Sequence, residues 1–196
     1  YTFLDLVAAA VVGVMIAHMG SKLAIEAMAE LIDTGLGEEE VEAIKQTLLN
    51  THGVRNVHEL RTRKMADNAL VDAHVIVDPK ISVSEGHYIA ESARHAVLKK
   101  HHVLDVMVHI DPEDDLQSKP NAHLPSRPKL LAHLAERLGN ADLTDYRVVL
   151  HYLDGKVDAE IFVPQQQSLT AGEMEACCEE IACDDKFFRA VQIHLS

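Results

Sequence analysis

The chain has 196 residues, 47% hydrophobic and 25% charged, which leaves room for one or two small domains and excludes both a long disordered tract and a large enzyme. Eighteen Lys+Arg against 31 Asp+Glu give a net charge of −13, a field that repels phosphate backbones and excludes nucleic acid as a partner. Thirteen His outnumber the four Tyr, four Phe and no Trp together, and imidazole is the commonest metal ligand, so metal binding becomes the leading chemistry.

The chain opens at Tyr1 without a Met, as a fragment of a longer protein would, and Phe3 to Gly20 is almost wholly apolar around Asp5 and His18. Eighteen residues rise about 27 Å as a helix, just short of a bilayer span. No basic segment precedes the run, no small-residue cleavage site follows, and SKLAIEAMAELID continues it directly. These features favour a last membrane helix leading into a soluble part over a signal segment or a buried core helix. His18 near its end is either an intramembrane relay or a side chain reaching the interface.

From Thr34 the composition changes. GLGEEEVEAIKQTLLNTHG has an acidic first turn and Val41, Ile44, Leu48 and Leu49 at helical spacing, ending by Gly53. NVHELRTR predicts a strand, KMADNA a turn, and LVDAHVIVDP a second strand in which Val71, Ala73, Val75 and Val77 alternate with Asp72, His74 and Ile76. SVSEGHYIAESARHAVLKK reads as an amphipathic helix. VLDVMVHIDP then points Val106, Val108 and Ile110 one way and Asp105, Met107, His109 and Asp111 the other. The order α-β-β-α-β predicts an antiparallel sheet with helices on one face and the other face free for a site.

Glu113 to Pro128, with three prolines, reads as a linker. Beyond it KLLAHLAERL predicts a helix, YRVVLHYL-DG-KVDAEIFVP a hairpin on an Asp-Gly turn, SLTAGEMEACCEEIA a helix and FFRAVQIHLS a strand. That is α-β-β-α-β again. VDAHVIVDP at Val71 matches VDAEIFVP at Val157, and GHYIAES at Gly86 matches GEMEACC at Gly172, which marks a degenerate internal repeat. The fold class is therefore α+β, an N-terminal helix followed by two αββαβ units.

His58, His74, His87, His109 and Asp111 are the main chemical constellation. Strand alternation places His74, His109 and Asp111 on the face opposite the core, and His87 starts the second helix of that repeat. Imidazoles and a carboxylate can then converge on a divalent ion such as Zn²⁺ without thiolates. Alternation does not settle His58, and histidines singly on a sheet surface are usually just solvated. Cys177, Cys178 and Cys183 crowd one predicted helix. Neighbouring residues there point about 100° apart, so free thiols in a reducing compartment are expected rather than disulfides or a thiolate site. No HExxH, GxSxG or P-loop is present, so an enzyme is not expected.

LIDTGL, VHELRTR, VDAHVIV, GHYIAE and VMVHIDP, in that order, resemble the cation diffusion facilitator (cation efflux) transporters. Tyr1 to about Asp115 resembles their last transmembrane helix plus cytoplasmic C-terminal domain. The resemblance implies a metallochaperone-like, ferredoxin-like αββαβ fold, a homodimer, and Zn²⁺ or another divalent metal held near the dimer interface. It also implies His58, His74, His87, His109 and Asp111 as ligands. Ile110 stands where some members place a polar residue. Asp33 matches the family's charged hinge, although an acid at a helix end facing water reads equally well. The family's transport site on other membrane helices has no counterpart here.

Superposing the repeats puts Glu160 on His74, Glu173 on His87 and His194 on His109, with His151 near His58. The step from His74 to His87 and from Glu160 to Glu173 is 13 residues in each case. His151, Glu160, Glu173 and His194 are thus either a second, oxygen-richer metal site or a degenerate copy kept for packing. The expected organisation is a transmembrane helix and hinge (1–33), a metal-sensing dimerisation domain (34–115), a linker (116–128) and a second αββαβ domain (129–196). Such a chain would be the regulatory region of a zinc-type efflux antiporter in an inner or plasma membrane, cytoplasmic after about residue 34. The alternative is a structural dimerisation module with no metal function.

Overall fold

The computed structural model describes the chain except residues 1, 32–33, 66–67, 115–116, 118–119, 140–141, 166–167 and 196, and except the side chains of 2, 29–31, 168–174 and 176. Its elements in order are α1 (Thr2–Leu31), α2 (Glu38–Leu49), β1 (Asn56–Met65), β2 (Asn68–Ile76), α3 (Val83–Lys100), β3 (Asp105–Asp111), α4 (Arg127–Arg137), β4 (Arg147–Leu153), β5 (Lys156–Val163), α5 (Ser168–Asp184) and β6 (Phe188–Leu195). One long helix and two copies of αββαβ result. The chain divides into two compact units, Tyr1–Val75 with Val83–Ile110, and Ile76–Ser82 with Asp111–Ser196.

α1 joins the apolar run and its amphipathic continuation into one helix, because nothing in GSKLAIEAM breaks it. Phe3–Met28 has a mean hydropathy of 2.0 over its best 18 residues, and none of that window is buried. Among the described residues this is the one helix long and apolar enough to cross a membrane. Within this chain the helix is not packed into a core, since Phe3, Leu6, Val14 and Ile16 all stand exposed. Asp33 lies outside the described residues. Directly after it, Thr34 O accepts a hydrogen bond from Lys64 N (2.8 Å) and Leu36 N donates to Thr62 Oγ1 (2.9 Å), so the entering chain is pinned along β1.

The first sheet has the order β1-β2-β3. Val71, Ala73, Val75 and Val77 are all at most 2% exposed, as the alternation predicted, and the core around them includes Ile44 and Leu48 of α2, Ala93 and Val97 of α3, and Val106 of β3. The turn expected over KMADNA is shorter than read, because β1 continues through Met65 and β2 begins at Asn68. Lys64 and Met65 are exposed on an edge strand rather than packed into a core, and Lys64 N donates to Thr34 O.

The second sheet has the order β4-β5-β6. β4 pairs with β5 antiparallel and β5 with β6 parallel, so the expected wholly antiparallel arrangement is corrected to a mixed sheet. A helix between two neighbouring strands carries the chain back to the starting end, and α5 does this between β5 and β6. In the first sheet, β2 and β3 are likewise neighbours joined by α3. The Asp154-Gly155 turn has positive φ at both positions (50° and 72°), the two-residue geometry whose twist suits a hairpin. It is held from outside: Asp154 N donates to Glu113 Oε2 (2.8 Å) and Gly155 N to Asn121 Oδ1 (2.9 Å). Glu113 and Asn121 come from the stretch read as linker, so part of that stretch is fastened to the second unit. Its end is helical too, since α4 starts at Arg127 with Pro128 in the first turn, where a missing N–H costs nothing.

Leu130, Leu134, Val157, Ile161, Val163, Ile181 and Phe188 form the second core. At its margin Asp185, 3% exposed as a side chain, accepts from Phe187 N (2.8 Å), Phe188 N (2.9 Å) and His133 Nε2 (2.7 Å). Burial opposes its charge, yet the N–H donors of Phe188 and Phe187 and the His133 ring outweigh burial, and the carboxyl stays below its usual range. All three cysteines stand as thiols. Burial, with Cys177 and Glu175 nearby, pushes Cys178 up to about 11, which makes it an inert packing residue rather than a soft-metal ligand at neutral pH.

Asp185→Ala should lower the unfolding free energy by about 1–3 kcal/mol, because two backbone donors lose their acceptor. Urea titration followed by circular dichroism measures this. Since the folded carboxyl titrates below its unfolded value of about 3.9, its contribution is fully present above that pH and fades as pH falls through the folded value. The difference between wild type and variant should therefore narrow in acid.

Candidate metal centre

The first sheet places histidines on adjacent strands. With Val57, Val71, Ala73, Val75 and Val106 turned to the core, the alternate positions on β1, β2 and β3 face the other way, and neighbouring strands lie only about 4.8 Å apart. The rings of His58 (β1) and His74 (β2) have centroids 5.6 Å apart, and those of His74 and His109 (β3) 4.7 Å. The ligand atoms of His58, His74 and Asp111 all lie within 4.8 Å of one another. Asp111 ends β3 and is only 3% exposed, although exposed Met107 shares its strand parity. An ion with ligands at about 2.1 Å holds tetrahedral neighbours about 3.4 Å apart. Small side-chain rotations close the three donors to that spacing, so two imidazoles and a carboxylate fit a hard-to-borderline divalent ion.

Not every expected ligand joins this group. His109 is exposed, is not one of the three converging residues, and lies with its ring tilted against that of His74. His87, on the first turns of α3, is exposed and is not one of the three converging residues. One neighbour was missed: Glu59 Oε2 stands 3.6 Å from His74 Nε2, and its other oxygen takes the Arg61 guanidinium at 2.5 Å. Glu59 shares the parity of buried Val57, so only the length of its side chain brings it there. Arg61, whose side chain is 74% exposed, thus has a carboxylate partner.

Residues 36–113 match the family model of the cation efflux protein, cytoplasmic domain. That stretch is similar to the cytoplasmic domain of cation efflux proteins. Curated relatives of the cation efflux region include metal tolerance protein C1 of Arabidopsis thaliana, 38% identical over 111 residues, and cation-efflux pump FieF of Pectobacterium atrosepticum, 31% identical over 101 residues. The first alignment covers 56% of this chain and 24% of that protein, the second 52% and 34%, so the chain spans about a third or less of these relatives. Among solved structures, a MamM CTD variant in manganese form is 28% identical, covering 39% of this chain and 98% of that one, with a TM-score of 0.38. A cadmium form is 26% identical over the same shares, also with a TM-score of 0.38.

The second repeat has a cluster at the corresponding strand positions, outside the cation efflux match. Glu160 (β5) has His151 Nε2 (β4) 3.5 Å from Oε1 and His194 Nε2 (β6) 3.6 Å from Oε2. Lys80, in the segment that follows β2, donates to Glu160 Oε1 at 2.9 Å. That hydrogen bond raises the lysine and is the main cause that holds the Glu160 carboxyl below its usual range. The expected fourth member, Glu173, lies in α5 with its side chain outside the described residues.

The geometry of the first sheet predicts that His74→Ala or Asp111→Ala raises the dissociation constant for Co²⁺ at least tenfold, about 1.4 kcal/mol. His95→Ala, an exposed change elsewhere on α3, should leave it unchanged. The visible absorption of bound Co²⁺ reads both out.

Proposed function

We propose that residues 34–115 are the cytoplasmic regulatory and dimerisation region of a divalent-cation efflux transporter, with Zn²⁺ the first ion to consider, and that metal held there biases cation/proton antiport by the membrane part. The convergence of His58, His74 and Asp111 within 4.8 Å, inside a cation efflux domain, carries this reading. In the same proposal α1 is the last membrane helix, residues up to 33 form the hinge with Asp33, and 129–196 form a second domain after the 116–128 linker.

The residues divide the work as follows. His58, His74 and Asp111 supply three donors from one copy, with His109 beside them, and the exposed His87 supplies a further donor to the group of a second copy. A bound divalent ion contributes positive charge against the acidic surface of two chains that each carry −13. β1 connects this event to the membrane: it bears His58, and through Thr62 and Lys64 it holds Leu36 and Thr34, just past the hinge. Metal shifts the membrane part only to the extent that it binds one arrangement of the two copies better than the other.

The test is sedimentation and small-angle scattering of the detergent-solubilised chain. Zn²⁺ should tighten self-association at least tenfold and compact the dimer. His87→Ala should abolish the compaction. The effect should weaken in acid, because imidazole must be neutral to ligate. Identical dimensions with and without Zn²⁺ reject the regulatory reading and leave a structural dimerisation module.

A further inference from the structure

The cluster around Glu160 is built like a cation site, and the cation it holds belongs to the chain. His151 is the decisive residue. Its side chain is only 10% exposed, and its Nδ1 stands 3.2 Å from the carbonyl oxygen of Pro79. A carbonyl only accepts, so Nδ1 carries the proton, and in the neutral ring Nε2 is a bare lone pair. That nitrogen stands 3.5 Å from Glu160 Oε1. Two acceptors facing each other in a largely buried place repel unless a cation lies against them. On the other side of the carboxylate, His194 Nε2 is buried, makes no hydrogen bond among the described residues, and sits 3.6 Å from Oε2. Phe162, the register partner of His194, stacks on the ring at 4.9 Å and fixes its orientation.

This is how a metal ligand set is prepared: one imidazole nitrogen tied to a carbonyl, the other presented to the ion, and a carboxylate between two rings. The three donors come from β4, β5 and β6, just as His58, His74 and His109 come from β1, β2 and β3. The difference is Lys80, whose ammonium lies 2.9 Å from Glu160 Oε1. Pro79 and Lys80, adjacent in sequence, thus set the tautomer of one ligand and neutralise the other. We infer that His151, Glu160 and His194 form a divalent-cation site that Lys80 occupies as an internal cation, so that the second repeat is locked without metal in an arrangement for which the first repeat needs an ion.

The inference rests on the second repeat alone, so it can fail or stand whatever becomes of the function proposed for the first. The experiment starts from the full chain, in detergent, carrying His74→Ala and Asp111→Ala, which removes binding at the first cluster. With Lys80 present, Zn²⁺ titrated by calorimetry and checked by elemental analysis should show no tight site. Lys80→Met, or Lys80→Ala as a second variant of different bulk, should add one Zn²⁺ per chain with affinity raised at least tenfold. Adding Glu160→Gln should remove it again. Circular dichroism identifies variants that keep their fold, and either lysine variant suffices. The inference is overturned if neither folded lysine variant gains an ion, if the gained ion survives Glu160→Gln, or if the chain with Lys80 intact already binds equally tightly.

Discussion

The two-residue repeat of the central strands governs both clusters. In β2 the buried set of Val71, Ala73 and Val75 leaves no freedom for His74, which must project from the opposite face. β5 imposes the same on Glu160 through Val157, Ala159 and Ile161. A register slip by one residue would send a histidine or a glutamate into the core, at a desolvation cost that no packing gain offsets. The hydrophobic effect that folds each sheet therefore also positions its chemistry, and flanking strands need only offer residues of matching parity.

The two repeats solve one electrostatic problem in different ways. The first puts an imidazole at the centre and a carboxylate, Asp111, at the end of the neighbouring strand. The second puts a carboxylate, Glu160, at the centre with imidazoles on both sides. A neutral ring tolerates half-burial without a counter-ion, whereas a central carboxylate does not. Lys80 meets that demand from a segment that directly follows β2 and packs with the second unit.

Much of this was legible in the sequence. Alternation in VDAHVIVDP and VDAEIFVP gave the faces, Asp154-Gly155 gave the hairpin, and the matching 13-residue steps gave the repeat. Side-chain parity reports a face and is blind to a neighbour, which is why the parallel pairing of β5 with β6 had to come from the connection through α5. Lys80 was illegible for a related reason: it is a turn residue 80 positions from Glu160, and nothing local distinguishes it from any solvated lysine. Glu59 escaped because parity assigns a Cβ direction, while a three-bond side chain can reach round the strand. The burial of Asp111 depends on where β3 ends and on what closes over it, which no window of sequence encodes.

The fastening of the Asp154-Gly155 turn by Glu113 and Asn121 also changes what joins the two repeats. Fifteen residues separate the end of β3 from the start of α4, and as a free coil they would be one long loop. Tying Asn121 to the hairpin splits that coil into shorter spans, and halving a loop lowers its closure entropy by about 0.6 kcal/mol. The proline-rich stretch is thereby a strap laid on the tip of a hairpin, and the second repeat carries with it part of the tether by which it hangs.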